Sequence, residues 1–200
     1  MHVNEDQKAK WCPPPADNTW KVLVVEDEEE VHAATKFALK RLIFEDKKIS
    51  FISAYSAGEA RQILADNADI AVILLDVVME KETAGLELVK YIRQELQNQL
   101  VRIILRTGQP GHAPEQQVIL EYDINDYQEK TELTTQKLHT AVITALRAYR
   151  DLSIIDNTRH GLEKIIESLT SIHNIKSICM LASGALTQLV ALLRLKPNAL

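Results

Sequence analysis

The stretch Ala71–Met79, AVILLDVVM, constrains the fold of this chain more than any other. It is a nearly continuous apolar run, interrupted by one carboxylate, Asp76. A short run rich in Val, Ile and Leu predicts a strand buried on both faces of a sheet, as in parallel sheets covered by helices. An acid inside such a strand is costly, so Asp76 belongs at its C-terminal edge. In open α/β sheets that edge is where ligands bind.

The flanking sequence repeats the pattern. Lys21–Val25 (KVLVV) predicts a strand that delivers Glu26 and Asp27 at its C-terminal end. Glu28–Glu30 suit the first turn of a helix, which the periodicity carries to about Phe44. Ile49–Ala54 predicts a strand, and Ser56 with Glu59 forms a capping-box pattern for a helix from Ala57. After Met79 a charged loop runs to Gly85, and Leu86–Leu96 carries a helical period. Val101–Arg106 predicts the fourth strand, ending at Thr107-Gly108. A loop from Gln109 and a short helix from Ala113 or Pro114 to about Glu121 follow. Asp123–Tyr127 predicts the fifth strand, just before Lys130. Two-residue hairpin signals are absent, which favours crossover connections. The predicted class is α/β: a five-stranded parallel doubly wound sheet with a C-terminal helical or coiled-coil extension.

That extension begins near Leu133. Leu138, Val142, Ala145, Tyr149 and Leu152 are spaced by four and three, and Leu162, Ile165, Ile166, Leu169 and Ile172 resume the period after a polar gap at Asp156–His160. This is one long helix, or two end to end, with a seam suited to a coiled coil. A bend or supercoil shift is expected near Ile155, with Gly161 a weak point. Ile175–Leu193 predicts a further amphipathic helix. The expected organisation is a flexible proline-containing leader over 1–19, a sheet domain over 20–135, a signalling and dimerisation helix over 136–173, and over 174–200 the start of a further helical or sensory-type domain.

Composition narrows the function. A net charge of −5 with no basic patch argues against a nucleic-acid surface. Two cysteines, Cys12 and Cys179, lie far apart and outside metal-ligand spacing, which fits a reducing compartment. No stretch suits membrane insertion or a signal peptide, so a cytoplasmic location is expected. The six histidines form no metal-ligand pair on a helix face.

If the sheet is parallel, Glu26, Asp27, Asp76, Thr107 and Lys130 meet at one end. Three carboxylates repel one another without a cation, and an all-oxygen set favours a hard ion such as Mg2+. Asp76 is then a candidate nucleophile toward phosphorus, with Thr107 and Lys130 placed to bind the phosphoryl oxygens. Acids in place of glycines after the first strand exclude a dinucleotide or P-loop site. Val78 stands where a dehalogenase-type phosphatase would need a second aspartate.

In order, Glu26-Asp27, Asp76 in LLDVVM, Thr107-Gly108 and Tyr127-x-x-Lys130 resemble the receiver domain of bacterial two-component response regulators. The resemblance covers roughly Trp20–Arg150. It implies that Asp76 accepts a phosphoryl group from a histidine kinase or phosphotransfer protein. It implies Mg2+ on Asp27, Asp76 and the Val78 main-chain carbonyl, with Glu26 acting through water or at longer range. Thr107 and Tyr127 would be the switch pair, and Val78 and Gln109 would tune dephosphorylation. Such a domain is a regulatory phospho-acceptor rather than an enzyme with an output of its own. Three departures stand out: Glu26 where Asp is commoner, no proline in the loop before Gly85, and Thr131 where the family places a cis proline. A narrower resemblance, carried by SAYSAGEA, RIILRTGQPG, YDINDYQEKTEL and RHGLEKIIESL, is to regulators in which the receiver leads through a long helix into a sensory-type domain, often before an HD-GYP cyclic-di-GMP phosphodiesterase. The chain has no His-Asp pair and no Gly-Tyr-Pro. The expected function is a phosphorylation-controlled switch acting on a homodimer through 136–173 and an output elsewhere. The alternative is a constitutively dimeric receiver-like interaction module that leaves Asp76 unused.

Overall fold

The computed structural model describes residues 19–81, 83–108, 124–130 and 134–192. The expected leader, Gln109, the short helix near 113–121 and Thr131 lie outside the described residues. The described residues divide into two units, one up to Ile154 and one from Ile155 onward.

The first unit is built on a six-stranded sheet, in the order β2-β3-β1-β4-β5-β6. The strands are β1 (Thr19–Val25), β2 (Ile43–Phe44), β3 (Lys47–Ala54), β4 (Ile70–Asp76), β5 (Arg102–Thr107) and β6 (Asp126–Glu129). Around them lie α1 (Glu29–Leu39), α2 (Ala57–Asp66) and α3 (Ala84–Lys90), the last running on through a π-helical turn at Tyr91–Glu95. β3, β1, β4, β5 and β6 are mutually parallel, as the buried apolar runs require.

Strand alternation sorts the core into two layers. Leu23, Val25, Ile73, Leu75, Ile103 and Leu105 pack with Leu64 of α2 and Leu88 of α3. Val22, Val24, Val72, Leu74 and Ile104 pack with Leu39 of α1 and with Leu138, Val142, Leu146 and Tyr149. Those last residues begin α4 (Thr135–Leu192), whose first turns close the second face of the sheet. At α2, Ser56 Oγ accepts from Glu59 N at 3.1 Å, while the Glu59 carboxylate accepts from Tyr55 N rather than Ser56 N. The capping pattern is therefore displaced by one residue at its return bond.

The expectations for the first helix and for hairpins need correction. α1 ends at Leu39, not near Phe44, and Ile43–Phe44 forms an antiparallel edge strand on β3. The connection is a two-residue hairpin, with Glu45 and Asp46 both at positive φ (51° and 60°). Neither residue announces such a turn, for which Asn-Gly is the usual signal. Long-range contacts impose it instead. Trp20 donates through Nε1 to the Phe44 carbonyl at 2.9 Å, its ring lies 5.8 Å from that of Phe44, and Arg150 pairs with Glu45. Trp20 is part of β1, which starts before Lys21. At the other edge, β6 begins at Asp126, three residues later than expected.

α4 is helical without interruption through Asp156–Gly161 and through Ile175, where bends or a fresh start were expected. A helical glycine costs about 1 kcal/mol relative to alanine. Beside Gly161, Arg159 reaches Asp156 and Glu163 at 3.5 and 3.7 Å, pairs at helical spacing that each add about 0.2–0.5 kcal/mol. In the second unit Ile155, Leu162, Ile165, Ile166, Met180, Leu186 and Leu189 are exposed. Among the described residues no helix is long and apolar enough to cross a membrane.

Candidate phosphoryl-acceptor site

β4 is buried at every residue, and its last is Asp76, only 3% exposed. A carboxylate is tolerated there because the strand ends at it and polar partners arrive from neighbouring strands. The turn after it is held by backbone bonds: Val77 N donates to Arg106 O at 2.9 Å, and Gly85 N to Val77 O at 3.1 Å. Gly85 sits so close that a Cβ would lie 2.2 Å from the Asp76 carbonyl oxygen. The glycine that ends the charged loop is thus a packing requirement of the acid's own peptide.

β1 brings the other acids. Glu26 N donates to Ala54 O at 3.1 Å, extending the sheet by one residue, and the Glu26 side chain is buried while Asp27 is exposed. One carboxylate oxygen from each of Glu26, Asp27 and Asp76 falls within 4.8 Å of the others. Lys130, at the end of β6, closes the group. Its Nζ donates to Glu26 Oε1 at 2.9 Å and to Asp76 Oδ2 at 2.7 Å. The oxygen-only set fits a hard divalent cation.

The charges respond to this crowding. Burial raises the pKa of Glu26, helped by the nearby Asp76 charge and opposed by the Lys130 hydrogen bond. Burial works to lower that of Lys130, but its bonds to Asp76 and Glu26 outweigh it and leave the ammonium held above its ordinary value.

The remaining predicted residues fall as follows. Thr107 is the last residue of β5, buried at the same edge of the sheet. Tyr127 pairs with Leu105 in register and is half-buried against the α2–α3 layer of the core. Val78 N lies 3.4 Å from Asp76 Oδ1. Three neighbours of the site escaped the sequence reading. Glu80 Oε1 accepts from Ala57 N at 2.9 Å, tying the loop after β4 to the start of α2. His32 is buried beneath Tyr55, with ring centroids 4.7 Å apart, and burial lowers its pKa. Arg106 is buried beside Asp76 in register. A basic residue directly after the apolar run Ile103–Leu105, at the C-terminal edge of β5, was the one signal that could have exposed Arg106.

Comparison with known proteins agrees with this arrangement. The model of the response regulator receiver domain matches residues 22–143. The chain belongs to the response regulator receiver family. A chemotaxis protein CheY homolog of Campylobacter jejuni is 35% identical over 107 residues, which cover 54% of this chain and 78% of that protein. A response regulator receiver domain protein from Clostridium thermocellum, solved as a crystal structure, superposes with a TM-score of 0.54 at 26% identity. That match covers 66% of this chain and 98% of the other. Beyond the receiver, residues 142–200 match a domain of unknown function, DUF3369. A 3'3'-cGAMP-specific phosphodiesterase 2 of Vibrio cholerae is 51% identical over 180 residues, 90% of this chain. The chain spans 34% of the length of that relative.

Proposed function

We propose that this receiver is the phosphorylatable input of a two-component response regulator, with Asp76 the acceptor. The observation that carries the reading is the Lys130 ammonium bonded to both Glu26 and Asp76, with Asp27 alongside. An Asp76 carboxylate oxygen attacks the phosphorus carried by a histidine of a sensor kinase or phosphotransfer protein. The P–N bond to that imidazole breaks, an O–P bond to Asp76 forms, and attack by water later returns the carboxylate and inorganic phosphate. Asp27, Asp76 and the Val78 carbonyl would hold Mg2+, with Glu26 acting through water. When bound, Mg2+ neutralises charge on the phosphoryl oxygens. Lys130 and the Thr107 hydroxyl bind those oxygens, and Thr107 with Tyr127 forms the switch that reports the new group.

The signal passes to α4. The exposed apolar side chains between Ile155 and Leu189 suit pairing with a second copy, over the dimerisation helix expected at 136–173 and onward. The output proposed is a cyclic-dinucleotide phosphodiesterase, from the likeness to the Vibrio cholerae enzyme. The setting is cytoplasmic.

Incubation with Mg2+ and acetyl phosphate, followed by intact mass, tests the assignment. The wild type gains one phosphoryl mass and Asp76→Asn gains none. No gain on the wild type, or equal gain on both, would sink it. The exposed helix also suits a second reading, a constitutively dimeric module. In that case sedimentation is the same with and without beryllium fluoride, an analogue of the aspartyl phosphate.

A further inference from the structure

Arg106 follows three apolar side chains in β5, a strand that also buries Arg102 at its start and Thr107 at its end. Ile103, Ile104 and Leu105 before it are fully buried, and Arg106 is itself only 6% exposed. Its register partner on β4 is Asp76. Two residues on from Ile104, its side chain lies on the face covered by α1 and α4, and Nη1 donates to Thr35 Oγ1 of α1 at 2.7 Å. The Thr35 hydroxyl in turn donates to Val31 O at 2.8 Å. Arg106 Nε is buried without a hydrogen-bond partner.

A guanidinium with an unmet donor is costly in such a place, and an apolar side chain of similar volume would pack there without that cost. Strand alternation puts Glu26 and Asp76 on the same face, two residues beyond Val24 and Leu74. Burial depresses the pKa of Arg106, and attraction to Glu26 and Asp76 opposes the depression. The acids thus supply the field that keeps a buried cation there, with no direct bond between them.

We propose that Arg106 is a fixed electrostatic positioning residue. It is a buried positive charge behind the acid pocket that opposes uptake of the divalent cation and favours the dianionic phosphoryl group. The inference rests on the Mg2+-dependent acceptor reading of the same site. It separates two signs that a purely structural arginine would not. Without the charge, Mg2+ meets less repulsion and binds more tightly, whereas a phosphoryl analogue loses a cation and binds more weakly.

The test uses the full chain with three substitutions. Arg106→Gln keeps a donor for Thr35 and drops the charge, Arg106→Lys keeps the charge without the fork, and Arg106→Met replaces Arg106→Gln should the latter not fold. Mg2+ dissociation constants come from calorimetry of the unphosphorylated protein. The expected result for the neutral variant is Mg2+ binding at least about threefold tighter than wild type, since a unit charge buried on the strand beside Asp76 acts through a medium well below the dielectric of water. The Lys variant stays within about twofold of wild type by the same reasoning. At saturating Mg2+, beryllium fluoride binds the neutral variant more weakly than wild type. Mg2+ affinity that is unchanged or weaker in the neutral variant overturns the proposal, as does a Lys variant that shifts as far as Gln. Absence of any Mg2+ binding by the wild type would overturn the site reading itself, a result distinct from either of these.

Discussion

Gly85 lies against the peptide that follows Asp76, with no room for even one methyl group. Overpacking a tight site costs typically 1–3 kcal/mol because backbone has to move. Gly85→Ala is therefore expected to lower the urea midpoint by an amount equivalent to about 2 kcal/mol. It should also reduce phosphoryl uptake, because the atoms displaced belong to Asp76 and Val77. Glu26 illustrates a site held against its own stability. Burial raises its folded pKa above the ordinary 4.5. Its contribution is complete below that ordinary value and is lost as pH rises through the raised one. At neutral pH the ionised side chain is a net cost, so Glu26→Gln is expected to raise Tm of the metal-free protein. The gain should shrink as pH falls toward 4.5, and equal Tm values at pH 7 would contradict it.

At the scale of elements, the hairpin at Glu45–Asp46 shows tertiary contacts overriding local preference. Left-handed backbone disfavours most L-residues by roughly 1–2 kcal/mol, less for aspartate. Asp46→Gly removes that penalty at the second turn position and leaves the Glu45–Arg150 pair in place. Stabilisation of about 0.5–1 kcal/mol in a denaturant titration is expected. β1, β4 and β5 were legible because burial on both faces demands near-continuous Val, Ile and Leu. The end of α1 was not, because Leu42 and Phe44 satisfy a helical period as well as a strand that packs beneath Trp20. Ser56 and Glu59 were legible as a cap because that chemistry is local.

For the whole molecule, α4 joins two different environments in one sequence pattern. Leu138, Val142, Leu146 and Tyr149 are buried against the sheet, whereas Ile165 and Ile166 are exposed in the second unit. If those residues pair with a second copy, Ile165→Asp with Ile166→Asp converts a sedimenting dimer to a monomer. Thermal unfolding of the receiver unit should be unaffected. A variant that stays dimeric at micromolar concentration would place the interface elsewhere.

Asp76 could be placed from sequence because an acid in a buried strand has one tolerable position, and the order of Glu26-Asp27, Asp76, Thr107 and Lys130 put them at one edge once the strands were parallel. What only the tertiary structure decided is how those charges meet. Register sets Arg106 beside Asp76, and α1 supplies Thr35 to hold it, from 71 residues away in the chain. Lys130 reaches back 104 residues to Glu26. Spacing along a chain carries no record of such pairings, because Coulomb attraction and desolvation depend on distances through space that the folded sheet alone creates.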